Sequence, residues 1–149
     1  MAMINAYKMD GLGNDFIIVD RRATSINLTK DKIIELGRRD NVGFDQIIFI
    51  EKEKDKSFPI TIYNSDGGEV SACGNGSRCI AYLLSKKINS KIVKIKTNNR
   101  ILNAEIVGNL SVKLNMGKPL FDWDKIPLSK KLDNQKIDLN IDGKLYENG

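Results

Sequence analysis

Residues 64–84 read Asn64-Ser65-Asp66-Gly67-Gly68-Glu69-Val70-Ser71-Ala72-Cys73-Gly74-Asn75-Gly76-Ser77-Arg78-Cys79-Ile80-Ala81-Tyr82-Leu83-Leu84, and the fold turns on this stretch. Asn64 to Gly68 is a cluster of turn-forming residues that breaks whatever strand precedes it. Gly74 and Gly76 then lead into a helix expected over Ser77 to Lys87. Its middle, Ile80 to Leu84, is apolar almost all round, and such a helix is buried on most of its sides. The rest of the chain has to supply what buries it.

On either side the pattern is one of short strands. Met3 to Lys8 and Phe16 to Asp20 read as strands flanking a loop, Asp10-Gly11-Leu12-Gly13-Asn14-Asp15. A helix follows from about Thr29 to Arg39, with Thr29 as N-cap, Asp31 in the first turn and Ile33, Leu36 and Gly37 at helical spacing. Gln46 to Lys52 is an apolar strand and the charged stretch Glu53 to Lys56 a turn. Phe58, Ile60 and Ile62 alternate with Pro59, Thr61 and Tyr63 as in a half-buried strand. Beyond the central helix come strands at Lys91 to Thr97, Ile101 to Val107 and Leu110 to Met116, with hairpin turns expected at Asn98-Asn99 and Gly108-Asn109. A looser region carrying Pro119 and Pro127 precedes Lys136 to Ile141, the turn Asp142-Gly143, and Lys144 to Glu147; Glu147-Asn148-Gly149 reads as a further turn. The expectation is an α+β domain in which sheet wraps a central helix.

Composition narrows the function. The 149 residues suit one compact domain, and 41% hydrophobic with 29% charged residues is ordinary for a globular chain. The apolar runs Phe16 to Val19 and Ile47 to Ile50 are far shorter than the ~20 residues that span a bilayer. Met1 to Lys8 lacks the pattern of a secretory signal, so a cytoplasmic location is expected and no membrane partner. Lys and Arg number 24 against 19 Asp and Glu, a formal charge of +5, but the lysines are scattered among acids and do not interleave with aromatics, so no nucleic-acid partner is expected. The chain has no histidine, which removes His-based catalysis and His-ligated metals from it. Its two cysteines, Cys73 and Cys79, do not suggest a disulfide framework or a metal site.

Cys73 stands at the mouth of the central helix. Unpaired N–H groups and the positive end of the helix dipole favour an anion there, and thiols so placed ionise readily. Gly74 and Gly76 carry no side chains, so a ligand can approach the backbone N–H groups, and one small site would offer both a thiolate and a cradle for a carboxylate. The competing reading makes Cys73 a small hydrophobe buried beside a turn. Cys79 lies inside the helix beside Ile80, Leu83 and Leu84, where core packing is the better account.

Four motifs in order carry a family resemblance. Lys8-Met9-Asp10-Gly11-Leu12-Gly13-Asn14-Asp15-Phe16 resembles the opening signature of diaminopimelate epimerases, and Gly43-Phe44-Asp45-Gln46 resembles their second motif. The segment from Asn64 to Cys79 is similar to their first cysteine motif, and Val112-Lys113-Leu114-Asn115-Met116-Gly117-Lys118-Pro119 looks like a later family strand. The resemblance implies a two-lobed enzyme, each lobe a barrel-like sheet around a central helix with one catalytic cysteine, and the substrate between them. It implies interconversion of LL- and meso-diaminopimelate, on the route to lysine and peptidoglycan, without pyridoxal phosphate or metal. By position, Cys73 matches the N-terminal catalytic cysteine, proton donor in the LL to meso direction and base in reverse. Gly74 and Asn75 match the backbone cradle for the α-carboxylate. Asn14, Gln46 and Asn64 match substrate contacts, Asn64 toward the distal end; without the family, each amide reads as a turn residue or a capping group.

Asp10 stands where the family commonly has histidine. The family is about twice as long, the size of two packed domains, and nothing in residues 1–149 resembles the second cysteine motif or the distal recognition residues. The chain is therefore expected to be the N-terminal lobe, inactive alone, with an open face through which it self-associates. The alternatives are a racemase of the same fold acting on another amino acid and a non-catalytic ligand-binding or assembly lobe.

Overall fold

A computed structural model describes residues 4–126, 128–133 and 136–146. The chain divides into two compact units, Met1–Met116 and Gly117–Gly149. The ends of the first expected strand (Met3) and of the last (Glu147), Pro127 and the turn Glu147-Asn148-Gly149 lie wholly or partly outside the described residues.

The first unit is an eight-stranded mixed sheet curled around one helix. Its strands are β1 (Ala6–Gly11), β2 (Asn14–Asp20), β3 (Gln46–Ile50), β4 (Phe58–Asn64), β5 (Glu69–Val70), β6 (Ile92–Lys96), β7 (Ile101–Gly108) and β8 (Ser111–Asn115), and its helices are α1 (Lys30–Gly37) and α2 (Gly74–Ile88). The order is β1-β2-β3-β4-β6-β7-β8, with the short β5 paired to β4. The pairs β2/β3 and β4/β6 are parallel and the others antiparallel. α2 connects toward β6 and packs against β1, β2, β6, β7 and β8, so strands from both ends of the sheet reach it.

Side-chain alternation explains the curl. Phe16 and Ile18 of β2, Ile48 and Ile50 of β3, Ile60 and Ile62 of β4, Val93 and Ile95 of β6, and Leu102 and Ala104 of β7 face one cluster with Cys79, Ile80, Ala81 and Leu84 of α2. The opposite faces of β2 and β3 give Val19, Ile47 and Phe49, which pack with Ile33 of α1 and with Phe44. The run Ile47 to Ile50 is continuous because β3 is buried on both faces. On β6, by contrast, Ile92, Lys94 and Lys96 face outward, giving the alternation of a strand with one wet face.

Several boundaries differ from expectation for local reasons. The loop expected over Asp10 to Asp15 is mostly strand: only Leu12 and Gly13 turn, with φ of 55° and 88°, and Asn14 already pairs with Gly11. Two consecutive positive φ values make the hairpin turn whose twist suits the flanking strands. α1 runs Lys30–Gly37 and stops short of Arg39 because Arg38 is extended, at φ −61° and ψ 137°. α2 begins at Gly74, three residues before Ser77, since the glycines form its first turn. Between β7 and β8 the left-handed residue is Leu110, φ 56°, after Asn109. The charged turn narrows to Asp55 and Lys56, both left-handed.

In the second unit, described by itself, Trp123–Lys125 forms one 3-10 turn. Strands β9 (Leu139–Ile141) and β10 (Lys144–Tyr146) pair across Asp142 and Gly143, as the Asp-Gly dipeptide predicts; Lys136 to Asp138 precede β9 outside any strand.

Candidate active site

The site begins where strand gives way to helix. After β4 ends at Asn64, Gly67 takes φ +75° to close the turn, β5 returns beside β4, and the chain reaches Cys73 extended, at φ −147° and ψ 111°. The Cys73 thiol caps α2: its Sγ accepts from the Gly76 N–H at 3.3 Å. Gly76 is required by packing, because a Cβ there would lie 2.6 Å from Ile48 Cδ1 and 3.5 Å from Cys73 Sγ. The first turn of α2 thus lies directly on β3, with the sulfur beside it. The N–H groups of Gly74 and Asn75 belong to that turn, where a helix supplies no acceptors of its own.

Cys73 is half-buried and Cys79 buried. The Cys79 thiol donates to the Asp10 carbonyl at 3.6 Å, and burial pushes it up, away from ionisation. A Cβ on Gly11 would come within 3.1 Å of the Cys79 sulfur, so β1 closes over it. The two thiols therefore have the separate environments expected of them.

The other predicted residues gather at the same end of the sheet. Gln46 opens β3, Asn64 closes β4, and the two are register partners. Gln46 Nε2 donates to Asn64 Oδ1 at 2.9 Å, while the buried Gln46 Oε1 has no donor among the described residues. Asn14 opens β2, and its Oδ1 accepts from Asn75 Nδ2 at 2.6 Å, tying the sheet to the mouth of α2. All six residues named from sequence therefore occupy the start of β2, the start of β3, the end of β4, or the cap and first turn of α2.

An ionic cluster that the sequence reading passed over supports this end. Asp15 Oδ1 accepts from the Asp45 N–H at 2.9 Å, and Asp45 Oδ2 accepts in return from the Asp15 N–H at 3.1 Å. Arg39 clamps Asp15 through both terminal nitrogens, at 2.6 and 3.0 Å, and also reaches Asp45. Lys8 adds a bond of 2.7 Å to Asp15. The Arg39 guanidinium, helped by Lys8 and opposed by partial burial, holds the Asp15 carboxyl well below the usual carboxylate range. Asp45 Oδ2 also accepts from Asn14 Nδ2 at 3.3 Å, and Arg78 donates to Asn75 Oδ1. The available signal was adjacency: Asp15 follows Asn14 and Asp45 precedes Gln46.

Chemically, a half-buried thiol sits at the positive end of a helix beside backbone and amide donors. Such an end holds a carboxylate and favours negative charge developing next to it. Among the described residues no three His, Cys, Asp or Glu side chains come together as metal ligands, and no helix is long and apolar enough to cross a membrane.

Residues 6–121 match the family described as diaminopimelate epimerase. The diaminopimelate epimerase of Pelagibacter ubique (strain HTCC1062) is 46% identical over 138 residues, 93% of this chain and 50% of that protein. That of Wolbachia sp. subsp. Brugia malayi (strain TRS) is 41% identical, over 91% of this chain and 51% of its own length. The chain thus spans about half the length of these curated relatives. Among solved structures, a PhzF-family phenazine biosynthesis protein of Bacillus anthracis superposes with a TM-score of 0.55 at 24% identity, over 73% of this chain and 38% of that one. An epimerase so described by prediction, from Pseudomonas aeruginosa, gives 0.54 at 16% identity, over 71% and 40%. These two likenesses show the shared fold.

Proposed function

The chain belongs to the diaminopimelate epimerase family, and from that premise we propose that it is the N-terminal lobe of an enzyme interconverting LL- and meso-diaminopimelate, a step of lysine and peptidoglycan biosynthesis. The observation that carries the reading is the Cys73 thiol capping α2 at the end of the sheet where Asn14, Asn75, Gln46 and Asn64 converge.

Inversion at an α-carbon needs a proton taken from one face and another delivered to the opposite face. Cys73 serves one face. In the LL to meso direction its thiol gives a proton to the α-carbon; in reverse its thiolate takes that proton and becomes S–H. A cysteine on a second lobe serves the other face. The N–H groups of Gly74 and Asn75 hold the α-carboxylate, onto which negative charge spreads as the α-proton leaves, so fixed donors there lower the barrier without pyridoxal phosphate or a metal. Asn14 and Gln46 contact the same end of the substrate, and Asn64 contacts the distal end.

With one cysteine at a helix mouth and the other sealed in the core, residues 1–149 carry one proton carrier where two are needed. By themselves they should bind weakly, turn over nothing, and self-associate through apolar surface; the cavity of about 510 Å³ flanked by β1, α2 and β8, with Met9, Leu12, Tyr82, Leu110 and Val112 in its wall, is one such surface. The full-length protein should incorporate solvent deuterium at the α-carbon of LL-diaminopimelate and form meso product, resolved by chiral chromatography. Shorter amino acids should be poor substrates; equal turnover of them would favour a racemase of this fold, and no exchange at all a binding lobe. Meso product scaling with the purified 149-residue chain would overturn the half-site argument.

A further inference from the structure

Four side chains at the mouth of α2 form a directed series of hydrogen bonds. Asp45 Oδ2 accepts from Asn14 Nδ2 at 3.3 Å, Asn14 Oδ1 accepts from Asn75 Nδ2 at 2.6 Å, and Asn75 Oδ1 accepts from Arg78 Nη2. An ionised carboxylate only accepts and a guanidinium only donates, whereas an amide is nearly the same shape with its oxygen and nitrogen exchanged. The charged ends therefore decide how both amides face. Turning Asn14 over would set oxygen against oxygen at Asp45, and turning Asn75 over would set N–H against N–H at Arg78. Each error sets like partners face to face and gives up bonds of the series for bonds to water, since Asn14 is exposed.

The acceptor end is held firmly. Asp45 Oδ1 accepts from Arg39 Nη2 at 2.5 Å, Oδ2 also accepts the Asp15 N–H, and the Asp45 N–H is bound by Asp15. The donor end is held by α2 itself, since Asn75 and Arg78 are three residues apart on neighbouring turns. After these bonds each amide nitrogen has used one of its two N–H groups, and the polarity of the series determines where the spare ones sit.

We infer that Asp45 and Arg78 are positioning residues that jointly fix the orientation of the Asn14 and Asn75 amides, so that their spare N–H groups meet a substrate carboxylate at the first turn of α2. This rests on the carboxylate-binding role proposed above for that turn. Neither residue touches the reacting atoms; each works through an asparagine. With the orientation lost, an amide oxygen occupies the place of an N–H for part of the time and repels an anion. A carboxylate carries a full charge in the ground state and gains only part of another as the α-proton leaves, so the loss falls more on KM than on kcat.

The experiment uses the full-length protein with Asp45→Asn, Arg78→Met, the double variant, and Arg78→Lys in the Asp45→Asn background. Either charged end alone still biases the series, so each single variant should raise KM for LL-diaminopimelate by about threefold. The double variant should raise it by well over the product of the two, with kcat moved less, and lysine at 78, a donor-only group, should recover most of the loss. A second readout needs no substrate: Asn14 Nδ2 and the Asp15 N–H share one acceptor, so wild type should show a nuclear Overhauser cross-peak between their protons that weakens in the double variant. KM values that merely multiply, an equal fall in kcat, or no such cross-peak in wild type would each overturn the inference. A wild type that exchanges no α-proton would instead overturn the proposed activity, leaving the cross-peak to decide the amide orientation.

Discussion

Both helices of the first unit start from an extended residue whose side chain caps the first turn, α1 with a hydroxyl and α2 with a thiol. Thr29 Oγ1 accepts from the Lys32 N–H at 3.2 Å, and Cys73 Sγ accepts from the Gly76 N–H at 3.3 Å. α1 is eight residues long and buries only Ile33 and Gly37, whereas α2 is fifteen long and buries seven, including Ile80, Ala81 and Leu84 at 0% exposure. Helices favour Ser, Thr, Asp or Asn at this position, and sulfur is a weaker acceptor. The helix with the poorer cap is the one the sheet holds on most sides. Stability supplied by packing leaves its N-terminus free to carry chemistry instead of the best cap, while the small surface helix keeps a cap chosen for stability.

Measurements of exchange, labelling and stability test that contrast. The largest effect should come from Cys73→Ala in the full-length protein, which should lower α-proton exchange by about 10²–10⁴-fold while circular dichroism stays native; the matching change at the other cap, Thr29→Ala, should leave exchange unaltered. Alkylation of the wild type should label Cys73 and spare Cys79, whose thiol is buried and pushed up. Preferential labelling of Cys79 would break the comparison at its centre.

Core truncation comes next. Leu84→Ala on α2 should destabilise by about 3 kcal/mol by denaturant melt, against about 1 kcal/mol for Leu36→Ala on half-exposed α1. Equal losses would mean that α2 is not the element the sheet is built around. Gly76→Ala should cost about 2 kcal/mol, because the new methyl group meets Ile48.

Asp15→Asn should cost about 1 kcal/mol at neutral pH, because Arg39 and Lys8 are largely exposed and water screens both bonds. The folded carboxyl is depressed, so its contribution is fully present above the unfolded value near pH 4 and disappears as pH falls toward the lower folded value. Wild type and Asp15→Asn should therefore converge in stability at strongly acid pH.

The smallest effects are at the caps. Thr29→Ala should cost about 1 kcal/mol, whereas Cys73→Ser should leave stability unchanged or raise it by less than about 1 kcal/mol, since a hydroxyl caps better than a thiol. A Cys73→Ser variant markedly less stable than wild type would show that the sulfur is there for packing.

What the sequence determined by itself was what neighbouring residues decide between them. The all-round apolarity of Ile80 to Leu84 requires a buried helix, the run Ile47 to Ile50 an apolar strand and Asp142-Gly143 a tight turn; the glycines after Cys73 mark a helix start, where the structure packs Gly76 on Ile48. The motifs added the family, and with it the six candidate site residues. The tertiary structure decided what depends on register. Leu12 and Gly13 alone turn, so Asn14 is the first residue of a strand and not part of a loop. Asn14 then meets Asn75, 61 residues away, only because β2 pairs with β3 and α2 lies across them. No local pattern assigns the side chains of Asp15, Asp45, Arg39 and Arg78 to one another. Their partners come from different elements, and a local pattern carries no information about which charged ends a curled sheet will bring together.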